Sequence, residues 1–490
     1  MTLSINLPTA NITPLVNKAW IDRLQIDLEV YRACALNLPL AERRNLDGLL
    51  AQIAAHHGWR ITRVNLNSLS ANLEALTSIE RSLEINRLWA IEGIGVMWNI
   101  LNPIDRYQLE KQLLDLSSAL TTTTNCAIIF IDFDLPIALT ELRTIVPQHQ
   151  IPLPDRDTID AIFAEFNLRS DRLTTVAGGL RHQEIRTGIE LALKSRMTDL
   201  DRIEAKMLEY KVIKLKELGL ELLGESDTLS FGGLDRIATA IGEVIQDFKP
   251  EARTRGIPLP KGWAFVGIPG AGKTHTAKCV AAALGYPLIS VGIDAVKAGG
   301  ADLLKRLLER IESSAPCVVY FDELDKFFSQ GSDSQIIGVL ATWLQEKCSH
   351  TFVIATLNRL ANVPVEILRI GRFDRLFWVG FPHEQERYDI LKLYLKKFDV
   401  TYDNNILGRM TEEEWINILN LTENFTGSEL KFLAERAAKL EYYAVEASQP
   451  LILEWVNELT PQYYKSSELA ERIKTSENLN IYRHKHARNF

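Results

Sequence analysis

Two α/β regions built on parallel sheets, the second closed by a helical lid, are the architecture this sequence predicts, and three observations predict it. Residues 1–195 alternate strand-like apolar runs with helical periods. Residues 229–385 repeat that alternation around a glycine-rich turn between a strand and a helix. From 386 onward the strand patterns stop and helical ones take over. Such alternation is what parallel strands joined by covering helices require.

In the first region WRITRVNL (59–66), RLWAIEGIGVMW (87–98) and NCAIIFIDF (125–133) read as strands, the last as a buried one. NPIDRYQLEKQLLDLSSAL (102–120) carries a helical period between them. Residues 196–228 read as a charged connector helix, with Ile203, Met207, Tyr210 and Ile213 on one face and an end at Gly224. The domain at 229–385 follows, then a helical lid at 386–460 and a tail at 461–490. The tail's basic cluster, Arg483, His484, Lys485, His486 and Arg488, reads as a solvated terminus.

The 490 residues allow two to four domains, each long enough for its own core. Apolar residues make up 46% and charged residues 24%, which excludes wholesale disorder. No apolar run is long enough to span a membrane, and the opening MTLSINLPTANITPLVNKAW lacks the basic and apolar segments of a secretory leader. Lys and Arg number 55 against 63 Asp and Glu, a net charge of −8, so a uniformly basic nucleic-acid surface is excluded. The five cysteines are scattered without a CxxC pair and read as reduced, mostly buried residues. No His, Cys or Asp cluster has metal-ligand spacing; His56 and His57 read as helix-end imidazoles, and Trp59, Trp89 and Trp98 as core.

The chemistry-bearing segment is GWAFVGIPGAGKT (262–274), a buried strand running into a glycine loop and a helix start. Gly267, Gly270 and Gly272 would let the loop they share with Ile268, Pro269 and Ala271 curl so that its backbone N–H groups (Pro269 has none) point at phosphate oxygens, while the following helix presents its positive end. Lys273 would supply a point charge to the β- and γ-phosphates of ATP, and the Thr274 hydroxyl would ligate Mg²⁺. His275, next along the helix, reads as a surface residue at the edge of the same site. Downstream, CVVYFDELD (317–325) ends a buried strand in Asp322, which would hold Mg²⁺ directly or through water, and Glu323, a base for the attacking water. TFVIATLNR (351–359) ends another strand in Asn358, whose amide can orient water. LRIGRFDR (368–375) sets Arg369 and Arg372 three apart, suited to stabilising a transferring phosphoryl group.

That order of motifs, with NFTGSELKFLAERAA (424–438) after them, resembles an AAA-type ATPase module over about 229–450. The resemblance implies a Walker A role for Lys273 and Thr274, Walker B for Asp322 and Glu323, and sensor 1 for Asn358. It implies arginine fingers at Arg369 and Arg372, acting on a neighbouring subunit of a homo-hexamer, and a lid helix approaching nucleotide at Gly427 and Ser428. FGGLDRI (231–237) resembles the stretch lining the adenine pocket. WLQEKCSHTFVIATLNRL and PVEILRIGRFDRLFWVGFP are similar to the AAA proteins of cyanobacteria and algal chloroplast genomes catalogued as a conserved hypothetical reading frame. This implies a cytoplasmic or stromal ATPase. LWAIEG, NCAIIFIDFDLP and TVAGGLRHQEI (175–185) further make the first region look like a degenerate AAA fold without a P-loop, with Glu92 structural.

One stretch departs from the family. Where threading AAA proteins carry an aromatic, VGIDAVKAGGADLLKRLL (291–308) offers Lys297, Ala298 and Gly299. Three functions therefore stand at this level. They are ATP-driven remodelling of a protein partner, a nucleotide-dependent switch or scaffold without threading, and nucleic-acid remodelling, which the acidic net charge disfavours.

Overall fold

The computed structural model describes residues 18–443 apart from 39–41, 43–45, 67–75, 77–78, 81–82, 84–85, 121–125, 133–139, 196–198, 224–234, 329–333, 370 and 399–409. The predicted tail at 461–490, Gly224, residues 231–234 and the last part of the predicted lid lie outside the described residues. Two compact units divide the chain, Met1–Lys211 and Val212–Phe490, the division falling inside the helix Leu200–Glu217.

The first unit holds five strands: β1 (Ala33–Asn37), β2 (Arg60–Asn65), β3 (Arg87–Glu92), β4 (Cys126–Asp132) and β5 (Gln148–Gln150). All pair in parallel, in the order β2-β3-β4-β1-β5. One face of the sheet packs Trp89, Ile91, Ile128 and Phe130 against the helix Pro103–Leu120 through Leu109 and Leu113. The other packs Cys34, Leu36, Ala90 and Ile129 against the helices Lys18–Tyr31 and Leu46–His57. Burial on both faces is why β3 and β4 read as continuous apolar runs, while the edge strands β2 and β5 are largely exposed or half-buried. Trp89 and Trp98 are core residues, as their setting predicts. A separate helical cluster joins Phe163, Leu173, Ile185 and Met207.

The second unit holds β6 (Leu220–Leu223), β7 (Gly262–Gly267), β8 (Leu288–Val291), β9 (Cys317–Phe321), β10 (Thr351–Leu357) and β11 (Arg375–Val379). Their order is β11-β7-β10-β9-β8-β6, parallel except for β6 against β8. Every residue of β7, β9 and β10 is buried. Beyond β11 the described residues form helices, Glu384–Leu395, Glu412–Leu421 and Gly427–Tyr443, around Leu391, Trp415, Phe425 and Leu433.

Two segments differ from the sequence reading. RLWAIEGIGVMW is strand only to Glu92, and Ile94–Ile100 is helix. An unbroken apolar run has no period to separate a strand from a buried helix. The connector helix ends at Glu217, and LELL, read as its last turn, is strand β6. Gly219 at φ 88° turns the chain there, a conformation costly for any residue with a Cβ. Leu220–Leu223 then pair with Val291–Leu288.

Candidate active site

The site forms where β7, β9 and β10 end, because parallel strands fed by right-handed crossovers deliver their C-terminal residues to one edge. Gly267 closes β7 against β11, and a Cβ on it would lie 2.1 Å from the Val379 carbonyl oxygen, so only glycine fits. The loop Ile268–Gly272 follows, and Gly272, at φ 96°, caps the helix Lys273–Leu284.

Lys273 is 7% exposed, and a buried ammonium without acceptors would cost several kcal/mol. Its Nζ therefore donates to the carbonyls of Gly267 (3.0 Å) and Ile268 (2.8 Å) and to Asn358 Oδ1 (2.8 Å). Burial lowers its pKa to about 8, against the opposing pull of Asp322, Asp325 and Glu323. Asn358 also donates through Nδ2 to Glu323 Oε1 at 2.7 Å. One amide thus bridges the lysine of the loop and the carboxylate of the neighbouring strand end.

Asp322 is exposed, and its Oδ1 accepts from Tyr320 and Thr356, both at 2.7 Å. The same Tyr320 oxygen lies 3.0 Å from Thr274 Oγ1. Burial raises the Tyr320 phenol well above its ordinary range. Glu323 sits in the left-handed region at φ 49°, a strain of about 1–2 kcal/mol for a residue with a side chain. Its N–H donates to Thr356 Oγ1 at 2.8 Å, while its carboxylate pairs with Lys326 and accepts from Asn358. Asp325, buried, accepts from the backbone N–H of Asn358 at 2.9 Å and of Arg359 at 3.2 Å, which fixes the end of β10.

The lid meets the loop at Gly270. The Gly270 carbonyl accepts from Ser428 N (3.0 Å) and Oγ (3.2 Å) at the start of the helix Gly427–Tyr443, directing that helix's positive end at the phosphate loop. Thr426 and Glu429 cap the same helix.

Gly267–Thr274, Asp322, Glu323, Asn358, Gly427 and Ser428 are thus gathered in one place. Other predicted residues are not. His275 is half-buried, its Nε2 3.4 Å from Cys279 Sγ. Among the described residues Arg369 and Arg372 make no hydrogen bond to the loop: Arg369 is exposed, and Arg372 donates to the Glu366 carbonyl and lies 3.5 Å from Gln345 Oε1. The stretch aligned with a threading loop is helical, Ile293–Ser313, broken only at Gly300, and Lys297 Nζ donates to the Lys326 carbonyl at 2.7 Å. In the first unit Glu92 is buried and engaged by Arg63, Nε at 2.8 Å, which also pairs with Asp47. His57 stacks on Trp59, and the fold brings Glu29 beside His56 and His57, donor atoms within 4.8 Å, a grouping that no sequence spacing displays.

The sequence reading missed Tyr320, Thr356, Asp325 and Lys326. Strand alternation carried a signal for two of them: Tyr320 shares a side of its strand with Asp322, and Thr356 with Asn358.

An oxygen-only pair, the Thr274 hydroxyl and Asp322 carboxylate, suits Mg²⁺, and a lysine within a glycine loop suits phosphates. A family model agrees: residues 263–381 match the ATPase family associated with various cellular activities (AAA). The chain carries an AAA domain. Over longer spans it is similar to the "Uncharacterized AAA domain-containing protein ycf46" of Guillardia theta, 28% identical over 427 residues, 76% of this chain and 79% of that protein. The protein of the same name from Gracilaria tenuistipitata var. liui is 26% identical over 424 residues, 79% of this chain and 81% of that protein. "ATP-dependent zinc metalloprotease FtsH 4" of Synechocystis is 31% identical over 239 residues, 44% of this chain and 37% of that protein. These matches bear out the resemblance read from the sequence.

Proposed function

We propose that the chain hydrolyses ATP in a homo-oligomer, expected to be a hexamer, and couples turnover to remodelling of a protein partner. The convergence of Lys273, Thr274, Asp322, Glu323 and Asn358 at three strand ends carries this reading. Lys273 exchanges its two carbonyl acceptors for phosphate oxygens, and the loop Gly267–Gly272, Pro269 excepted, supplies N–H donors around them. Thr274 and Asp322 would hold Mg²⁺, which when bound neutralises charge on the terminal phosphates. Glu323 accepts the proton of the attacking water, released from Lys326 as the site closes, and Asn358 orients that water. Arg369, which is exposed, and Arg372 serve the site of the next subunit.

The first unit, by this reading, is an AAA-like fold without nucleotide chemistry, supported by its strand order and its occupied Glu92. Its exposed side chains are the place to seek the partner. No helix among the described residues is long and apolar enough to cross a membrane, and we place the protein in the cytoplasm or stroma. A second reading, a nucleotide-dependent switch that does not thread, is favoured by the helical stretch around Lys297, with no aromatic there.

Dilution tests the trans-acting arginines. ATP turnover per chain should rise steeply with protein concentration as assembly proceeds, and R369A and R372A should abolish it while binding persists. Full turnover from a monomer at low concentration contradicts the assignment.

A further inference from the structure

Resting on the reading of this site as an ATP·Mg²⁺ site, we infer that Tyr320 is a positioning residue for the cation, setting the hydroxyl of Thr274 and the carboxylate of Asp322 as a preformed pair.

The side chain is built for that task. Its ring is 1% exposed, packed within the core face that also holds Trp263, Phe265 and Phe352. Only the phenol oxygen reaches the strand ends, 2.7 Å from Asp322 Oδ1 and 3.0 Å from Thr274 Oγ1. A phenol has one proton, and it belongs on the carboxylate, the stronger acceptor. The phenol oxygen is then left to accept from the Thr274 hydroxyl, which turns that hydroxyl's lone pairs outward. Thr356 donates to the same Asp322 oxygen at 2.7 Å. Two neutral donors on Oδ1 hold the carboxylate rotamer and leave Oδ2 for the cation or its water shell. Apolar residues at positions 318 and 319 show that the strand core needs no hydroxyl, and a phenylalanine would fill the ring's place equally well.

Groups that orient a metal ligand are commonly worth about 10–100-fold in metal affinity. Tyr320→Phe should therefore weaken Mn²⁺ binding to the ADP-loaded full chain by about tenfold, read by electron paramagnetic resonance titration of free Mn²⁺. ADP binding in EDTA should stay within about twofold, because Lys273 and the loop are untouched. Thr356→Val, which removes the other hydroxyl from Oδ1, provides an independent route to the same loss should Y320F fold poorly. Y320F and T356V proteins that bind Mn²⁺ as tightly as the unaltered chain overturn the inference alone. So does an equal loss of metal-dependent and metal-free ADP binding in Y320F. An unaltered chain that binds no ADP at all overturns the nucleotide reading and the inference with it.

Discussion

The sheets of the two units run in one strand order but end in different chemistry. Counted within each unit the order is 5-1-4-3-2, with β6 added at the edge of the second. In both, the first strand leads to a helix and the third ends in an acidic residue. Between β7 and its helix lies a five-residue glycine-bearing loop, Ile268–Gly272, ending at Lys273. Between β1 and the helix Leu46–His57 there is no glycine, and Glu42 stands in that interval. Its carboxylate is buried, 3.5 Å from Nδ1 of His182, the first residue of the helix His182–Lys194. In the second unit Ser428 docks its helix on Gly270, so in both units the start of a later helix meets a residue that follows the first strand. A backbone carbonyl makes the joint in one case and a carboxylate in the other. On the AAA-like reading of the first unit, the buried Glu42 carboxylate would close that place to phosphates.

The acidic strand ends differ likewise. Glu92 is gripped by the Arg63 guanidinium, whereas Asp322 is held by two hydroxyls, and Glu323 by the Asn358 amide and the exposed Lys326. A buried ion pair consumes the carboxylate as structure; neutral donors orient it and leave oxygens for chemistry. Topology gives a residue its address, and its partner decides its use.

Removing a cation from each unit separates the two roles. Lys273→Ala should weaken ATP binding at least about 100-fold, roughly 2.7 kcal/mol, measured by titration with a fluorescent analogue. Arg63→Ala should leave that affinity unchanged yet destabilise the first unit by about 2 kcal/mol, since it removes the guanidinium from the buried Glu92, read from thermal unfolding. Loss of nucleotide affinity in R63A would break the comparison.

A smaller effect is expected from pH. Lys273 has a pKa near 8 in the free protein because burial disfavours its charge, and bound phosphates must raise it. The charged form binds, so ATP affinity is full below pH 8 and falls above it, by at most about tenfold per unit up to the pKa of the complex. Isothermal titration between pH 7 and 9.5 checks the sign; affinity that rises with pH contradicts it.

The loop and the strand ends at Asp322, Glu323 and Asn358 were legible in the sequence because each is contiguous and needs particular residues beside a strand or helix end; Gly427 and Ser428 came only from the family resemblance. The strand β6 was not, since LELL satisfies a helical pattern as well as an edge strand, and only β8 decides between them. Tyr320, Thr356 and Asp325 escaped because their roles depend on which strands lie side by side, Asp322 meeting Thr356 across β9 and β10. The Glu42–His182 pair joins residues 140 positions apart, beyond any local pattern.

The central claim, that nucleotide chemistry resides in the second unit alone, is tested most directly by paired turnover of E323Q and E92Q in the full chain. Loss of a general base predicts a fall of about 10²–10⁴ in ATP turnover for E323Q with ATP still bound, and turnover within about twofold of the unaltered chain for E92Q. Near-normal turnover in E323Q, or its collapse in a folded E92Q, would contradict the account.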